Sequence, residues 1–286
     1  MDLGADVAAA VERIVRWALD EDLGPQRLDV TSVATIPADQ TDVGALVARA
    51  DGVLAGLAVA RAVFEAASGR TVAFEAKARD GERVARGQVL ATVAGPTRAL
   101  LSAERTALNL LCRMSGVATH TRAWADALAG TKATVLDTRK TTPGLRILEK
   151  YAVRVGGGEN KRMGLYDVAM VKDNHKLAAG GITAAYRRVR QRFPDVPVQV
   201  EVTTVDEAVE AVEVGADFLL CDNMSPSLLR RVVAAVGGRA SLEATGGLTL
   251  DRAREYAETG VDYLSVGALT HSSPILDIAL DLRPRG

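Results

Sequence analysis

From residue 133 onward the chain alternates short apolar runs with amphipathic stretches, and this restricts it to a parallel sheet assembled from βαβ units. The runs occupy 134–137, 168–172, 198–201, 218–222, 241–243 and 263–266. Helix-like stretches lie near 183–193, 205–214, 226–236 and 249–259. Thr204, Ser225 and Thr249 stand where N-caps belong, and Gly215, Gly237 and Gly260 where helices stop. The runs make six units, fewer than the eight that close a full barrel, so the expected fold is α/β, an incomplete parallel barrel.

The ends of the runs point to one face. Asp137, Lys172, Glu201, Asp222 and Glu243 each fall at or near the C-terminal end of a different run. One polar residue after a strand is ordinary. Five of mixed sign on five strands are the pattern of a barrel whose working mouth is at that end.

The first 115 residues lack this rhythm. A helical start over 7–19, containing Trp17, precedes strand-like pieces at 43–47, 52–56 and 80–90. The last piece, with glycines at its turns, resembles half of a lipoyl-type sandwich, but no lysine sits at a tight hairpin for modification, so it reads as scaffold. A helix over 102–111 then bridges to the barrel. The expected organisation is an N-terminal α+β sandwich domain over 1–115 and a barrel over 116–271, with 272–286 rejoining the first domain.

Charge is balanced overall, at a net −1, yet 139–162 holds seven basic residues against two acidic ones, a local +5. That concentration suits a pocket for a small, highly charged anion; a nucleic-acid partner would call for a basic domain throughout. Arg146, Lys150 and Arg154 recur every four residues and read as a solvated or interfacial helix stripe. Arg139-Lys140, Lys161-Arg162 and Lys172 instead lie at strand ends or beside glycines, where functional groups collect on a rigid scaffold. Cys112 and Cys221 have no metal-ligand spacing, which leaves reduced thiols of a cytoplasmic protein as the expectation. The start carries Asp2, Asp6 and Glu12 among alanines and does not read as a signal peptide. No apolar run approaches the roughly 20 residues that span a bilayer, so no membrane partner is expected.

Eight ordered motifs sharpen this reading. They are Ala103-Glu104-Arg105-Thr106 with Leu108-Asn109, Ser115-Gly116 through Thr119, Asp137-Thr138-Arg139-Lys140 through Gly144, and Glu149-Lys150-Tyr151-Ala152. The others are Gly156-Gly157-Gly158, Lys172-Asp173-Asn174-His175, Glu243 through Gly247, and Val266 through His271. With these motifs the chain resembles the quinolinate phosphoribosyltransferase family over nearly its whole length. The resemblance implies transfer of a phosphoribosyl group from phosphoribosyl pyrophosphate to the ring nitrogen of quinolinate, with loss of CO2. The products would be nicotinate mononucleotide and pyrophosphate, in de novo NAD biosynthesis, and the reaction would use Mg2+.

The resemblance also distributes roles. It implies that Arg139, Arg162 and Lys172 form a dicarboxylate pocket, completed by Arg105 from a neighbouring subunit of a homodimer or higher homo-oligomer, and Lys161 beside Arg162 can still contact a carboxylate. Lys140, Glu201 and Asp222 would be catalytic, with Lys140 on pyrophosphate and the two carboxylates on Mg2+ or ribose hydroxyls. Thr245, Gly246, Gly247, Gly267 and Ala268 would hold the 5′-phosphate, with His271 just beyond. One departure stands out: Asn160-Lys161-Arg162 replaces the family's usual Asn-His-Arg, so no imidazole is present there to titrate. Three other readings remain open on the sequence. They are transfer to a pyridine acid without decarboxylation, a phosphate-binding homologue without catalysis, and a barrel aldolase with a Schiff base at Lys172.

Overall fold

The structure is a computed structural model, and it describes residues 4–69 and 71–283. Asp2 and the last three positions of the 272–286 segment lie outside the described residues. The N-terminal elements are α1 (Ala5–Leu23), α2 (Val30–Thr35), β1 (Thr41–Ala48), β2 (Gly52–Val53) and α3 (Leu57–Ala67). They are followed by β3 (Ala73–Ala76), β4 (Arg83–Val84), β5 (Val89–Pro96), α4 (Thr97–Leu128), β6 (Thr134–Leu136) and α5 (Arg146–Gly156). Next come β7 (Ala169–Val171), α6 (Asp173–Ala179), α7 (Ile182–Arg192), β8 (Val198–Val202), α8 (Val205–Glu213) and β9 (Phe218–Asp222). The chain ends with α9 (Pro226–Val236), β10 (Ser241–Thr245), α10 (Ala253–Ala257), β11 (Tyr263–Ser265), α11 (Ala268–His271) and β12 (Ile278–Arg283). Among the described residues no helix is long and apolar enough to cross a membrane.

These elements form two compact units: Met1–Arg122, Thr141–Gly157 and Thr270–Gly286 in one, Ala123–Lys140 and Gly158–Leu269 in the other. The first holds an antiparallel sheet in the order β12-β1-β5-β3, so the last strand pairs with the first. In α1, Val7, Ala10, Val11, Ile14, Val15 and Leu19 are buried, a stripe at helical spacing that leaves Trp17 exposed. The piece expected over 52–56 is a strand only at Gly52 and Val53, paired with β4, and Leu54 adds backbone bonds to Glu82 and Gly81.

The bridging helix begins earlier and runs further than the sequence suggested, for α4 has 32 residues where 102–111 was expected. The stripe Arg146, Lys150 and Arg154 is also not uniformly solvated. Lys150 is buried at 1% exposure and Arg146 is half-buried; Arg154 alone of the three is exposed. Residues 148–153 are buried without a break, so α5 is enclosed around its whole girth and periodicity no longer separates a wet face from a dry one. A Cβ on Gly156 would lie 2.6 Å from the carbonyl oxygen of Ala118, so α4 and α5 approach each other at a point that only glycine permits.

The second unit is a six-stranded parallel sheet in the order β6-β11-β10-β9-β8-β7. Its first two strands in sequence stand at opposite ends of that order, which is how an incomplete α/β barrel stays open. Glu159 occupies the outer edge of β6, donating from its N to the Val135 oxygen at 2.9 Å. Local chemistry sets the connections. The Thr204 hydroxyl accepts from Glu207 N at 3.1 Å to start α8, and Ser225 does the same for α9, with Pro226 in the first turn and left-handed Gly237 at the end. The stretch expected as one helix over 249–259 is instead a 3-10 turn, Leu250–Arg252, leading into the five-residue α10.

Sheet register decides what faces the interior. Glu201 lies beside Leu220, Leu220 beside Glu243, and Glu243 beside Tyr263. Paired residues share a face and side chains alternate along a strand, so Asp222 and Thr245, two residues on, lie on that face as well.

Candidate active site

At the C-terminal mouth of the parallel sheet, the strap 158–162 is fastened from beneath by two buried carboxylates. Asp137, the first residue after β6, is fully buried and accepts from Asn160 Nδ2 at 2.6 Å and from Lys161 N at 2.9 Å. Glu243, from β10, is likewise fully buried and receives Lys161 Nζ on Oε1 at 2.5 Å. Burial holds the Lys161 ammonium below the usual lysine range; Glu243 pulls it back up, and the charges of Lys172 and Arg162 push it further down.

The strap thereby aims Arg162, whose Nη1 donates to the Val168 oxygen at 3.0 Å. Burial and then the charge of Arg139 lower its pKa while Asp167 opposes them, so the two guanidiniums are close enough to repel. Arg139 Nε and Glu243 Oε2 are both buried and have no hydrogen-bond partner among the described residues. A buried donor left unpaired costs about 1–3 kcal/mol, and such groups call for an explanation.

Across the mouth, Lys172 Nζ donates to Glu201 Oε2 at 3.0 Å, with the lysine half in water and the glutamate at 9% exposure. Glu201 Oε1 also accepts from Asp173 N at 3.4 Å, and Lys172 N donates to His175 Nδ1 at 3.1 Å. Glu201 therefore already serves an ion pair while it faces the interior. Asp222, on the adjacent strand, accepts from Asn223 Nδ2 at 2.7 Å.

Asn223 is itself left-handed, at φ 52°, and donates from its N to the Thr245 oxygen at 2.9 Å. Gly246 follows at φ +94°, where a Cβ would stand 2.3 Å from Asn223 Oδ1. Both its dihedral and the close approach require glycine at this turn. Gly247 is left-handed as well, at φ +59°. Gly267 leads into α11, which starts at Ala268 and ends at His271, whose Nδ1 lies 2.6 Å from Ser272 Oγ.

Twelve of the fourteen residues singled out in the sequence thus belong to the parallel-sheet unit: Arg139, Lys140, Lys161, Arg162, Lys172, Glu201, Asp222, Thr245, Gly246, Gly247, Gly267 and Ala268. Arg105, exposed on α4, and His271 belong to the other unit. Sequence reasoning placed Asp137 and Glu243 at strand ends but gave them no task. The signal was their repetition with Glu201 and Asp222, since a carboxylate at 0% exposure is tolerated only where donors meet it. Chemically, Arg139 and Arg162 present planar donors suited to neighbouring carboxylates on one small anion.

The model of the quinolinate phosphoribosyl transferase N-terminal domain matches residues 29–115, and that of the C-terminal domain matches 117–281. Nicotinate-nucleotide pyrophosphorylase (carboxylating) of Mycobacterium leprae is 48% identical over 279 residues, which cover 96% of this chain and 97% of the relative. The probable enzyme of that name from Bacillus subtilis is 42% identical over 263 residues, 92% of this chain and 90% of its own. The crystal structure of NadC from Streptococcus pyogenes superposes with a TM-score of 0.92 at 37% identity, covering 96% of each chain. With the two domain models matching consecutive parts of the chain and a site of cations, carboxylates and glycine turns at the sheet mouth, this chain belongs to the quinolinate phosphoribosyl transferase family.

Proposed function

We propose that this chain transfers the phosphoribosyl group of phosphoribosyl pyrophosphate to quinolinate and decarboxylates the product to nicotinate mononucleotide, in NAD biosynthesis. The observation that carries this reading is the buried Nε of Arg139, a donor with no acceptor among the described residues, beside a second guanidinium, that of Arg162. Two adjacent carboxylates on a pyridine ring would satisfy both. Lys172 and Lys161 add positive field, with Lys161 held from behind by Glu243.

Lys140, exposed two residues after Thr138, takes the pyrophosphate oxygens. Glu201 and Asp222 place negative charge where an oxocarbenium-like anomeric carbon develops positive charge. The turns at Thr245, Gly246 and Gly247 and at Gly267 and Ala268 offer backbone N–H groups to the 5′-phosphate, as loops after the last strands of such barrels do.

Among the described residues no cluster of three or more His, Cys, Asp or Glu is placed to hold a metal. A Mg2+ that keeps its waters and takes substrate phosphate oxygens needs only one or two protein carboxylates, and Glu201 and Asp222 fit that demand. Such an ion would neutralise charge on the departing pyrophosphate. Once the ring nitrogen is alkylated its charge stabilises the carbanion left by CO2, so the arginines need only hold the ring and its carboxylates in a dry, preorganised site.

The active unit in this reading is a homodimer or larger homo-oligomer in the cytoplasm, with Arg105 reaching a partner's site. Mixing inactive Arg105→Ala chains with inactive Lys140→Ala chains should restore up to about a quarter of wild-type activity after random exchange, by two-fold symmetry. No recovery after proven exchange would mean that Arg105 serves its own chain's site or none. The decisive assay incubates the protein with quinolinate, phosphoribosyl pyrophosphate and Mg2+ and follows nicotinate mononucleotide, pyrophosphate and CO2. Failure to form the nucleotide overturns the reading, and transfer without CO2 release would replace it with a non-decarboxylating one.

A further inference from the structure

Arg139 and Arg162 sit on two stretches of chain that one buried carboxylate joins. Asp137 stands two residues before Arg139 and is fully buried. Its Oδ2 accepts from Asn160 Nδ2 at 2.6 Å, and its Oδ1 accepts from the N of Lys161, the residue before Arg162, at 2.9 Å. The backbone repeats the tie. Asp137 N donates to the Glu159 oxygen at 3.2 Å, Glu159 N donates to the Val135 oxygen at 2.9 Å, and Leu136 and Glu159 form a parallel bridge. All of these residues belong to the parallel-sheet unit.

The two carboxylate oxygens act on different parts of the strap, one on its backbone and one on a side chain. The strap is therefore held at two points, against sliding along the end of β6 and against turning about a single bond. Beyond Arg162 the chain is fixed again, with Met163 N and Gly164 N donating to Asp167 at 2.6 and 3.1 Å and Arg162 Nη1 to the Val168 oxygen at 3.0 Å. Such restraint has a physical purpose. The charge of Arg139 pushes the Arg162 pKa down, so the two guanidiniums repel and would move apart unless their segments were tied together.

We infer that Asp137 is a specificity-determining positioning residue: by bridging the end of β6 to the strap it fixes the separation of the Arg139 and Arg162 guanidiniums, and that separation selects an acid with two adjacent carboxylates. This inference rests on the assignment of the two arginines to quinolinate. Asp137, being fully buried, acts through them and not on the substrate. Specificity is a difference of affinities. A monocarboxylate needs one guanidinium and is indifferent to where the other stands, whereas a dicarboxylate loses a charge-assisted contact when the pair shifts. The mark of the device is therefore a selective loss of the dicarboxylate.

The test compares Asp137→Asn, Asn160→Ala and the exchange of Asp137→Asn with Asn160→Asp against wild type. Asp137→Asn keeps the size but sets a donor against a donor, and the exchange puts donor and acceptor opposite each other again. Affinities for quinolinate and for the monocarboxylates nicotinate and picolinate are measured by calorimetry, beside thermal melts. Expected in Asp137→Asn is a quinolinate affinity weaker by about 10- to 100-fold, with both monocarboxylates within about 2-fold of wild type and most of the loss recovered in the exchange. Asn160→Ala removes one contact from a half-buried position and should weaken quinolinate alone by about 3- to 10-fold, which keeps the inference testable should the Asp137 variants unfold. Unchanged quinolinate affinity in the folded variants, equal losses for all three acids, or a loss that persists in a folded exchange variant would overturn it and leave a purely structural carboxylate. A wild type that prefers quinolinate over the monocarboxylates but forms no nucleotide would overturn the functional reading and leave this inference standing, because the binding measurements need no turnover.

Discussion

At the C-terminal mouth of the parallel sheet one ion pair is sunk in protein, whereas at its N-terminal base a lysine and an aspartate pair half in water. Lys161 and Glu243 at the mouth have side chains 8% and 0% exposed. Lys132 and Asp262 at the base, joined at 2.8 Å, are 56% and 31% exposed. The base also borders a cavity of about 300 Å³ lined by Lys132, Asp217, Arg239 and Asp262, but its cations are matched by acids and Arg239 spends its donors on the Val236 and Ala235 oxygens. The mouth leaves Arg139 Nε and Glu243 Oε2 buried without partners among the described residues. Burying charge is expensive, so of the two ends of this sheet the one that buries it is the one that carries the chemistry.

Removing one member of the buried pair should show the largest effect. Glu243→Ala leaves the Lys161 ammonium enclosed, which should cost about 3–5 kcal/mol of stability. The double variant Lys161→Met with Glu243→Leu should recover most of that loss while quinolinate binding stays impaired. Urea titration of the three proteins checks both outcomes; a Glu243→Ala protein as stable as wild type would erase the contrast between mouth and base.

Next in size come the groups assigned to the transition state. Glu201→Gln and Asp222→Asn should lower kcat by about 10²–10³-fold, as loss of one preorganised electrostatic contact does, with quinolinate affinity little changed. Full activity of either variant at saturating Mg2+ would return that residue to a structural role, and for Glu201 the Lys172 ion pair already supplies one. Arg139→Ala or Arg162→Ala should weaken quinolinate binding by about 10- to 150-fold, the equivalent of about 1.5–3 kcal/mol for a charge-assisted pair. Calorimetry with quinolinate alone decides this.

How far the sequence reveals this arrangement depends on the kind of feature. The parallel sheet was legible because each strand is a short apolar run and α8 and α9 carry hydroxyl caps that the structure uses. Asp222 and Glu201 were legible as strand ends, since alternation along a strand fixes a side. Lys150 was not: a cation every four residues reads as a wet stripe, and nothing local announces that α5 is enclosed by chain distant in sequence. The same blindness hid the task of Asp137 and Glu243, because what makes each useful is a donor 24 or 82 residues away. The return of 141–157 to the N-terminal unit is likewise a matter of long-range contact, invisible to periodicity.

The smallest expected effect is the one that makes the contrast quantitative. Lys132→Ala removes the 2.8 Å contact with Asp262, but that carboxylate keeps a second duty, accepting from Leu242 N at 2.8 Å on its other oxygen, and it remains partly hydrated. Nothing charged is stranded in a dry place. An exposed pair of this kind is worth about 0.2–1 kcal/mol, and salt screens what there is of it. Lys132→Ala should therefore lower stability by less than about 1 kcal/mol, a shift that shrinks further in high salt, with both substrate affinities unchanged. A loss approaching that of Glu243→Ala would mean that the base, too, holds its charges under strain, and that burial at the mouth no longer marks the site.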